Sequence, residues 1–327
     1  MNITRRNFLK IASSLALSAT ILIPKNSSSS HGYYGTLIDL TRCDGCTDEP
    51  VPKCVQACRD HNRKKFPEPV ANIQPYWPHT FYEDWSKKRD IINTLTPYNW
   101  IFVQKVSVNG TQLFIPRRCM HCINPPCVSL CPFGALSKET YGNTVISDKL
   151  CFGGAKCRDV CPWHIPQRQA GVGLYLKMMP KFAGGGVMYK CDLCAERIAE
   201  GKTPVCILAC EQRLKTKTAM FFGEYTNIAS MASSRAVNEH LYLYGETQNG
   251  GTSTFYLSPL PFDAINRALV LQKERFQMAS HVPNPLEKPH RLAQYFLLGG
   301  FGAAFAGIVS ALCPSKKKIT TYEHKKT

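Results

Sequence analysis

Acidic residues are scarce in this chain: 23 Asp and Glu stand against 40 Lys and Arg in 327 residues. That excess invites a nucleic-acid or membrane-surface partner. No zinc-finger, RNP or other nucleic-acid motif is present, however, so sequence-reading modules are excluded. No Ser-His-Asp, Cys-His or paired-carboxylate constellation stands out, and no glycine loop has phosphate-cradling spacing. The chain therefore shows no visible substrate chemistry. Cysteine is absent from residues 59–99 and again from 211–290. An uncharged run long enough to cross a bilayer occurs only at Leu292–Leu312.

What is present is cysteine, 16 residues of it, and all but Cys313 fall into four runs. The most compact run is Cys119, Cys122, Cys127 and Cys131 followed by Pro132, a C-x2-C-x4-C-x3-C-P spacing. The first run, Cys43, Cys46, Cys54 and Cys58, has a longer middle gap, Thr47–Lys53, which reads as a surface loop. The third, Cys151, Cys157 and Cys161 followed by Pro162, carries Gly154 where the register calls for a second cysteine. The fourth is Cys191, Cys194, Cys206 and Cys210. Three closely spaced thiolates grip one iron–sulfur cubane; the last, three residues on, crosses to a neighbouring cluster, and a following proline ends the local helix. Four cubanes at about −2 each also remove roughly half of the formal +17, so the basic excess is partly counter-charge.

Two other uses of cysteine are weighed. Disulfide scaffolds are usually short chains with dispersed cysteines, not repeated ligand spacings. Paired C-x2-C sites also hold zinc, but a zinc knuckle has no need of the crossed C-x3-C-P ending. Cys313 reads as an incidental thiol.

The termini address the chain. Thr4-Arg5-Arg6-Asn7-Phe8-Leu9-Lys10 precedes the mildly apolar Ile11–Ile23 and closely resembles a twin-arginine export signal, with Ser27–Ser30 as linker. That pathway carries folded proteins, so clusters can be inserted in a reducing cytoplasm before export. Leu292–Leu312 as a helix spans roughly 31 Å, the thickness of a bilayer core. The lysines after it, Lys316–Lys318 and Lys325–Lys326, place the carboxyl end in the cytoplasm, so the clusters face the periplasm. Gly299, Ala303 and Gly307 make a small-residue face suited to packing on another membrane helix.

The fold expected is α+β: two ferredoxin-like modules carrying four clusters, plus a C-terminal transmembrane helix. Segments are expected at 1–30 (signal and linker), 31–215 (cluster domain, with an insertion at 59–99), 216–290 (extension and tail), 291–313 (membrane helix) and 314–327 (basic tail). Tyr33–Leu40 alternates as a strand. Trp100–Val108 and Thr111–Ile115 form a hairpin about Asn109-Gly110, and a second hairpin is expected around Tyr141-Gly142-Asn143. Thr218–Gly223 reads as a strand and Asn227–Glu239 as a helix; Pro259, Pro261, Pro283, Pro285 and Pro289 mark an extended tail. His61 and His79 read as structural or solvent-facing residues of the insertion.

Residues 33–210 resemble the four-cluster iron–sulfur subunits of respiratory oxidoreductases, among them the formate dehydrogenase, dimethyl sulfoxide reductase and periplasmic nickel–iron hydrogenase systems. The fourth run is especially similar, with Cys191-Asp192-Leu193-Cys194, Arg197, Gly201, Pro204, Cys206 and Cys210. The export signal, the single C-terminal helix, and the stretch from Tyr244-Gly245-Glu246 through Gly250-Gly251-Thr252 to Pro261-Phe262 most resemble the hydrogenase member. The resemblance implies that run one pairs with run four and run two with run three. Cluster 1 then takes Cys43, Cys46, Cys54 and Cys210; cluster 2 takes Cys119, Cys122, Cys127 and Cys161; cluster 4 takes Cys58, Cys191, Cys194 and Cys206. Cluster 3 keeps only Cys131, Cys151 and Cys157. The cofactors implied are three [4Fe–4S] clusters and one three-thiolate cluster, read as [3Fe–4S], with a [4Fe–4S] cluster completed by an oxygen ligand as the alternative. The function implied is electron transfer between a periplasmic catalytic subunit, a hydrogenase ahead of a molybdopterin enzyme, and a quinone-reactive membrane subunit. A catalytic iron–sulfur enzyme using an open iron is a remoter alternative.

Overall fold

The computed structural model describes residues 32–73, 82–178 and 186–287. The export segment, His79 and the expected membrane helix lie outside the described residues. Among those described, no helix is long and apolar enough to cross a membrane.

The first half contains β1 (Tyr34–Asp39), α1 (Lys53–Asn62), the hairpin β2 (Phe102–Val108) and β3 (Thr111–Arg117), then α2 (Pro126–Ser129). The hairpin β4 (Leu136–Lys138) and β5 (Thr144–Ile146) leads to α3 (Lys156–Asp159) and β6 (Gln167–Gln169). Then come α4 (Leu174–Met178), β7 (Val187–Tyr189), α5 (Ala195–Ala199) and α6 (Val205–Leu214). The chain ends in β8 (Met220–Glu224), α7 (Tyr225–Asn238), β9 (Tyr242–Tyr244), β10 (Thr254–Ser258) and α8 (Phe262–Leu271).

Strand β1 organises one four-stranded sheet, in the order β8-β1-β10-β9. Its alternation sends Leu37 to one face, against Ile228 and Ala232 of α7, and Ile38 to the other, into the core that holds Cys54, Cys119, Cys191 and Cys206. Gly35 lets α7 approach: a Cβ there would lie 3.2 Å from the Tyr225 backbone. The strand ends on fully buried Asp39, whose carboxylate accepts from the Thr41 amide at 2.9 Å and is ion-paired with Arg42 and Arg235. This fixes the chain as it enters the first cysteine run.

The β2–β3 hairpin turns where expected. Asn109 and Gly110 adopt φ of 50° and 82°, the left-handed pair that a two-residue turn requires. One expectation is corrected. The proline-marked tail is not extended throughout, because β10 pairs in parallel with β1, with Thr36 opposite Thr254, and Pro261 stands at the start of the ten-residue helix α8. Proline is compatible with that position, since its φ of −57° suits the entry to a helix. Helix α8 buries Phe262, Ile265 and Leu269, so the extension shares the hydrophobic core of the cysteine runs.

Candidate iron–sulfur centres

Proline placement shapes each run. Pro52, Pro125 and Pro204 immediately precede α1, α2 and α6, where a missing N–H breaks no helical bond. Helices α1 and α6 continue through both of their cysteines, because Arg59 and Glu211 follow Cys58 and Cys210. Helices α2 and α3 stop short of Cys131 and Cys161, since the residue before a proline is pushed out of helical geometry. Between the first two cysteine positions, each run turns through left-handed backbone: φ is 69° and 49° at Gly45 and Cys46, 47° at His121, 72° at Gly153, and 62° and 53° at Leu193 and Cys194.

The runs come together in sets. Cys43, Cys46, Cys54 and Cys210 line one cavity with Val103, Pro116 and Met220. Cys119, Cys122, Cys127 and Cys161 line a second with Met120, Pro126 and Trp163. Cys58, Cys191 and Cys206 share the main buried core, and burial, then repulsion from Cys191, Cys206 and Cys194, pushes the Cys58 thiol far above its ordinary range. Cys131, Cys151 and Cys157 share a smaller apolar cluster with Ala135, Leu136, Val187 and Met188. Among the described residues, no three His, Cys, Asp or Glu converge to hold a single metal ion. Two of the four sets surround cavities instead, as a polynuclear cluster requires.

The donor chemistry fits such a group. Burial pushes the thiols of Cys43, Cys127 and Cys191 up to about 12 and that of Cys161 to about 11. Thiols so reluctant to ionise are poor free nucleophiles; a bound cationic metal is what makes them thiolates. Hydrogen-bond donors already aim at the sulfurs: the amides of Met188 and Leu193 approach Cys151 and Cys191 at 3.4 Å, and Asn249 Nδ2 approaches Cys122 at 3.1 Å. Bonds of this kind tune cluster potentials.

Asn249 belongs to the extension and was not singled out from the sequence. Its segment lies along the second run, where the Ile123 amide donates to Gly251 O and the Ser253 amide to His121 O. Three further residues were not assigned roles: Arg118, His121 and Lys190, all buried beside the thiols. His61 lines neither of the two thiol cavities described above.

The third run is braced by the insertion. Arg158 donates to both oxygens of Glu83 at 2.8 and 2.7 Å; Arg168 donates to Glu83 at 2.8 Å and to Gly153 O at 3.0 Å. Burial alone raises the Glu83 pKa, but the two guanidiniums outweigh it and hold the carboxyl below its ordinary 4.5. A depressed carboxyl stabilises the fold above the unfolded-state pKa, and that contribution is lost as pH falls through the native value. Glu83→Gln is therefore expected to cost about 1–2 kcal/mol at pH 7, allowing for partial exposure. The deficit should close as pH drops below 4.5. Hydrogen exchange at the Ala170 amide, which donates to Glu83 O at 2.8 Å, measures it.

Comparison with known proteins agrees with this geometry. Residues 42–135 and residues 111–222 each match a 4Fe-4S dicluster domain model, so the chain is a ferredoxin-type protein with two such domains of mixed α/β content. A protein of Nitratidesulfovibrio vulgaris is 32% identical over 274 residues, covering 80% of this chain and 65% of the relative. The hydrogenase-2 operon protein HybA of Escherichia coli O157:H7 is 28% identical over 308 residues, covering 80% of this chain and 83% of HybA. The probable anaerobic dimethyl sulfoxide reductase chain YnfG of Escherichia coli K12 is 30% identical over 180 residues, covering 55% of this chain and 70% of YnfG. The chain belongs to the iron–sulfur electron-transfer subunits of respiratory oxidoreductases.

Proposed function

We propose that this subunit passes electrons singly along four clusters, from a hydrogenase catalytic subunit to a quinone-reactive membrane subunit or back. Cys43, Cys46, Cys54 and Cys210 hold cluster 1; Cys58, Cys191, Cys194 and Cys206 hold cluster 4; Cys119, Cys122, Cys127 and Cys161 hold cluster 2. Cys131, Cys151 and Cys157 hold cluster 3, a [3Fe–4S] group. The clusters, when bound, supply one-electron redox chemistry; the protein supplies spacing, burial and hydrogen bonds.

The observation that carries this reading is an unbroken succession of thiol sets. Helices α1 and α6 pack on each other, and each carries one cysteine of set 1 and one of set 4. Thr144 Oγ1 lies 3.7 Å from Cys119 Sγ of set 2, and the His121 ring that the Thr144 amide meets lies 3.8 Å from Cys191 Sγ of set 4. The second and third runs each carry cysteines of sets 2 and 3, and α2 packs on α3. The order is 1–4–2–3, with sets 1 and 3 at the ends. An aromatic group, exposed Phe133 stacked on half-buried Phe152 at 5.1 Å with half-buried Tyr175 beside it, flanks Cys151 at the far end, where a partner can approach.

In this reading the twin-arginine segment exports the folded chain, the helix at 291–313 anchors it, and the clusters stand on the periplasmic side. A hydrogenase partner is favoured by the match to HybA, which spans more of both chains than the match to YnfG. YnfG supports the second reading, a molybdopterin partner in the same place. Anaerobic purification from membranes, with iron and sulfide analysis, low-temperature EPR and identification of co-purifying subunits, tests both. About fifteen irons and a nickel–iron large subunit are expected. A molybdopterin subunit would select the second reading, and zinc or disulfides in place of iron would sink both.

A further inference from the structure

The hop between sets 4 and 2 differs from the other two. Sets 1 and 4 share α1 and α6, and sets 2 and 3 share the second and third runs, but no single run carries ligands for both set 4 and set 2. What lies between them is a buried polar seam built on Arg118, His121, Thr144 and Lys190. Arg118 and His121 are 1% exposed and Lys190 is 5% exposed.

Thr144 is the hub. Its amide donates to His121 Nδ1 at 3.1 Å, so the ring hydrogen is on Nε2, which faces Cys191 Sγ at 3.8 Å. Lys190 Nζ donates to Thr144 Oγ1 at 3.0 Å, and the same hydroxyl lies 3.4 Å from His121 Nδ1 and 3.7 Å from Cys119 Sγ. One residue thus reaches a thiol of set 2 directly and a thiol of set 4 through the imidazole.

The two cations are crossed. Arg118 adjoins Cys119 of set 2 in sequence, yet its guanidinium reaches Thr36 Oγ1, on the face of β1 that carries Ile38 into the core holding Cys191 and Cys206, the set 4 thiols that also act on it most. Lys190 adjoins Cys191 of set 4, yet it lines the cavity of set 2 beside Cys119, Cys122, Cys127 and Cys161, and Cys119 and Cys127 also act on it most. Their hydrogen-bond acceptors are neutral: Cys119 O and Thr36 Oγ1 for Arg118; Thr144 O, Thr144 Oγ1 and Cys191 O for Lys190. Arg118 Nε is buried with no hydrogen-bond partner among the described residues. Buried cations supplied only with neutral acceptors are costly unless anions stand close by. With the clusters bound, the thiolates across the seam would be those anions.

We propose that Arg118 and Lys190 are crossed positioning charges for electron transfer between the modules, each raising the potential of the cluster in the module that does not contain it. In this hop one electron moves between set 4 and set 2, one side oxidised as the other is reduced, and no proton moves. A cation favours whichever side holds the extra electron. The pair therefore stabilises the electron on either bank of the seam, and His121 and Thr144 connect the two banks.

The inference rests on the ligand sets proposed above, and the experiment separates the two. In the full chain with its partners, Cys122→Ser and Cys194→Ser first assign the EPR signals of sets 2 and 4; failure of that assignment overturns the ligand sets. Redox titration of Lys190→Met is then expected to lower the potential of set 2, at least tenfold in its reduced-to-oxidised ratio, about 59 mV for one electron. Arg118→Met should do the same to set 4, and Lys190→Arg and Arg118→Lys should restore wild-type potentials. Unshifted potentials, or each variant moving the set adjacent to it in sequence, would overturn the proposal. Should Lys190→Met shed iron, Lys190→Gln keeps a donor toward Thr144 and replaces it; iron loss from both variants would reduce the residue to a structural counter-charge.

Discussion

Gly154→Cys is expected to raise the iron content from about fifteen to about sixteen and to abolish an oxidised-state [3Fe–4S] signal. The backbone argues for this directly. In the second run His121 has positive φ and Cys122 does not; in the third run Gly153 has positive φ and Gly154 does not. The loops part at the next residue, where Ala155 is left-handed at φ 57° and Ile123 is not, but Gly154 keeps the place three residues after Cys151 that Cys122 keeps after Cys119. A Cβ at Gly154 meets nothing within 4 Å, and its backbone conformation is one that side chains adopt readily. A fourth thiolate adds negative charge, so the potential of this end of the wire should fall and electron delivery through it should slow. Iron analysis with an EPR-monitored titration reads both effects. An unchanged [3Fe–4S] signal would mean that the new thiol does not reach the site. A wild-type content of sixteen irons would mean that an oxygen ligand already completes the cluster.

How much of this was legible beforehand depended on how local the signal was. The Asn109-Gly110 turn, the alternation of β1 and the helix near 227–239 follow from neighbouring residues and stand close to where they were expected. The lengths of the ligand helices were also within reach, since Cys131-Pro132 and Cys161-Pro162 stop a helix while Cys58-Arg59 and Cys210-Glu211 do not. The parallel pairing of β10 with β1 was hidden, because it joins residues more than two hundred positions apart and no local pattern announces it. Its prolines pointed to an irregular tail, though Pro261 opens a helix.

Within the site, the cysteines were visible and their companions were not. A basic residue beside a cysteine looks in sequence like any surface charge. Only packing distinguishes Arg118 and Lys190, which are buried, from Arg42, which stays partly exposed and pairs with Asp39. The one available signal was that all three immediately precede the first cysteine of a run. Asn249 had no signal at all, since it reaches Cys122 from a turn contributed by the extension.

The ligand sets make a prediction of comparable size about the first run. Cys58→Ser is expected to remove the cluster of set 4, about four irons, and to leave that of set 1 in place, although Cys54 lies one helical turn away. Helix α1 packs on α6, and both place cysteines four residues apart, so each helix contributes to two neighbouring thiol sets. Cys54 lines the cavity with Cys43, Cys46 and Cys210, whereas the thiols acting most on Cys58 are Cys191, Cys206 and Cys194. Cys210→Ser should show the converse, losing set 1 and keeping set 4. If instead Cys58→Ser removed the cluster held by Cys43 and Cys46, the runs would bind their own clusters and the crossed wire would fail. The Cys210 variant loses terminal set 1, whereas in the Cys58 variant the break is internal to the line 1–4–2–3. Electrons entering at one end should then reduce only the clusters on their own side of the gap, so the partial reduction pattern measured by EPR also reports the order of the wire.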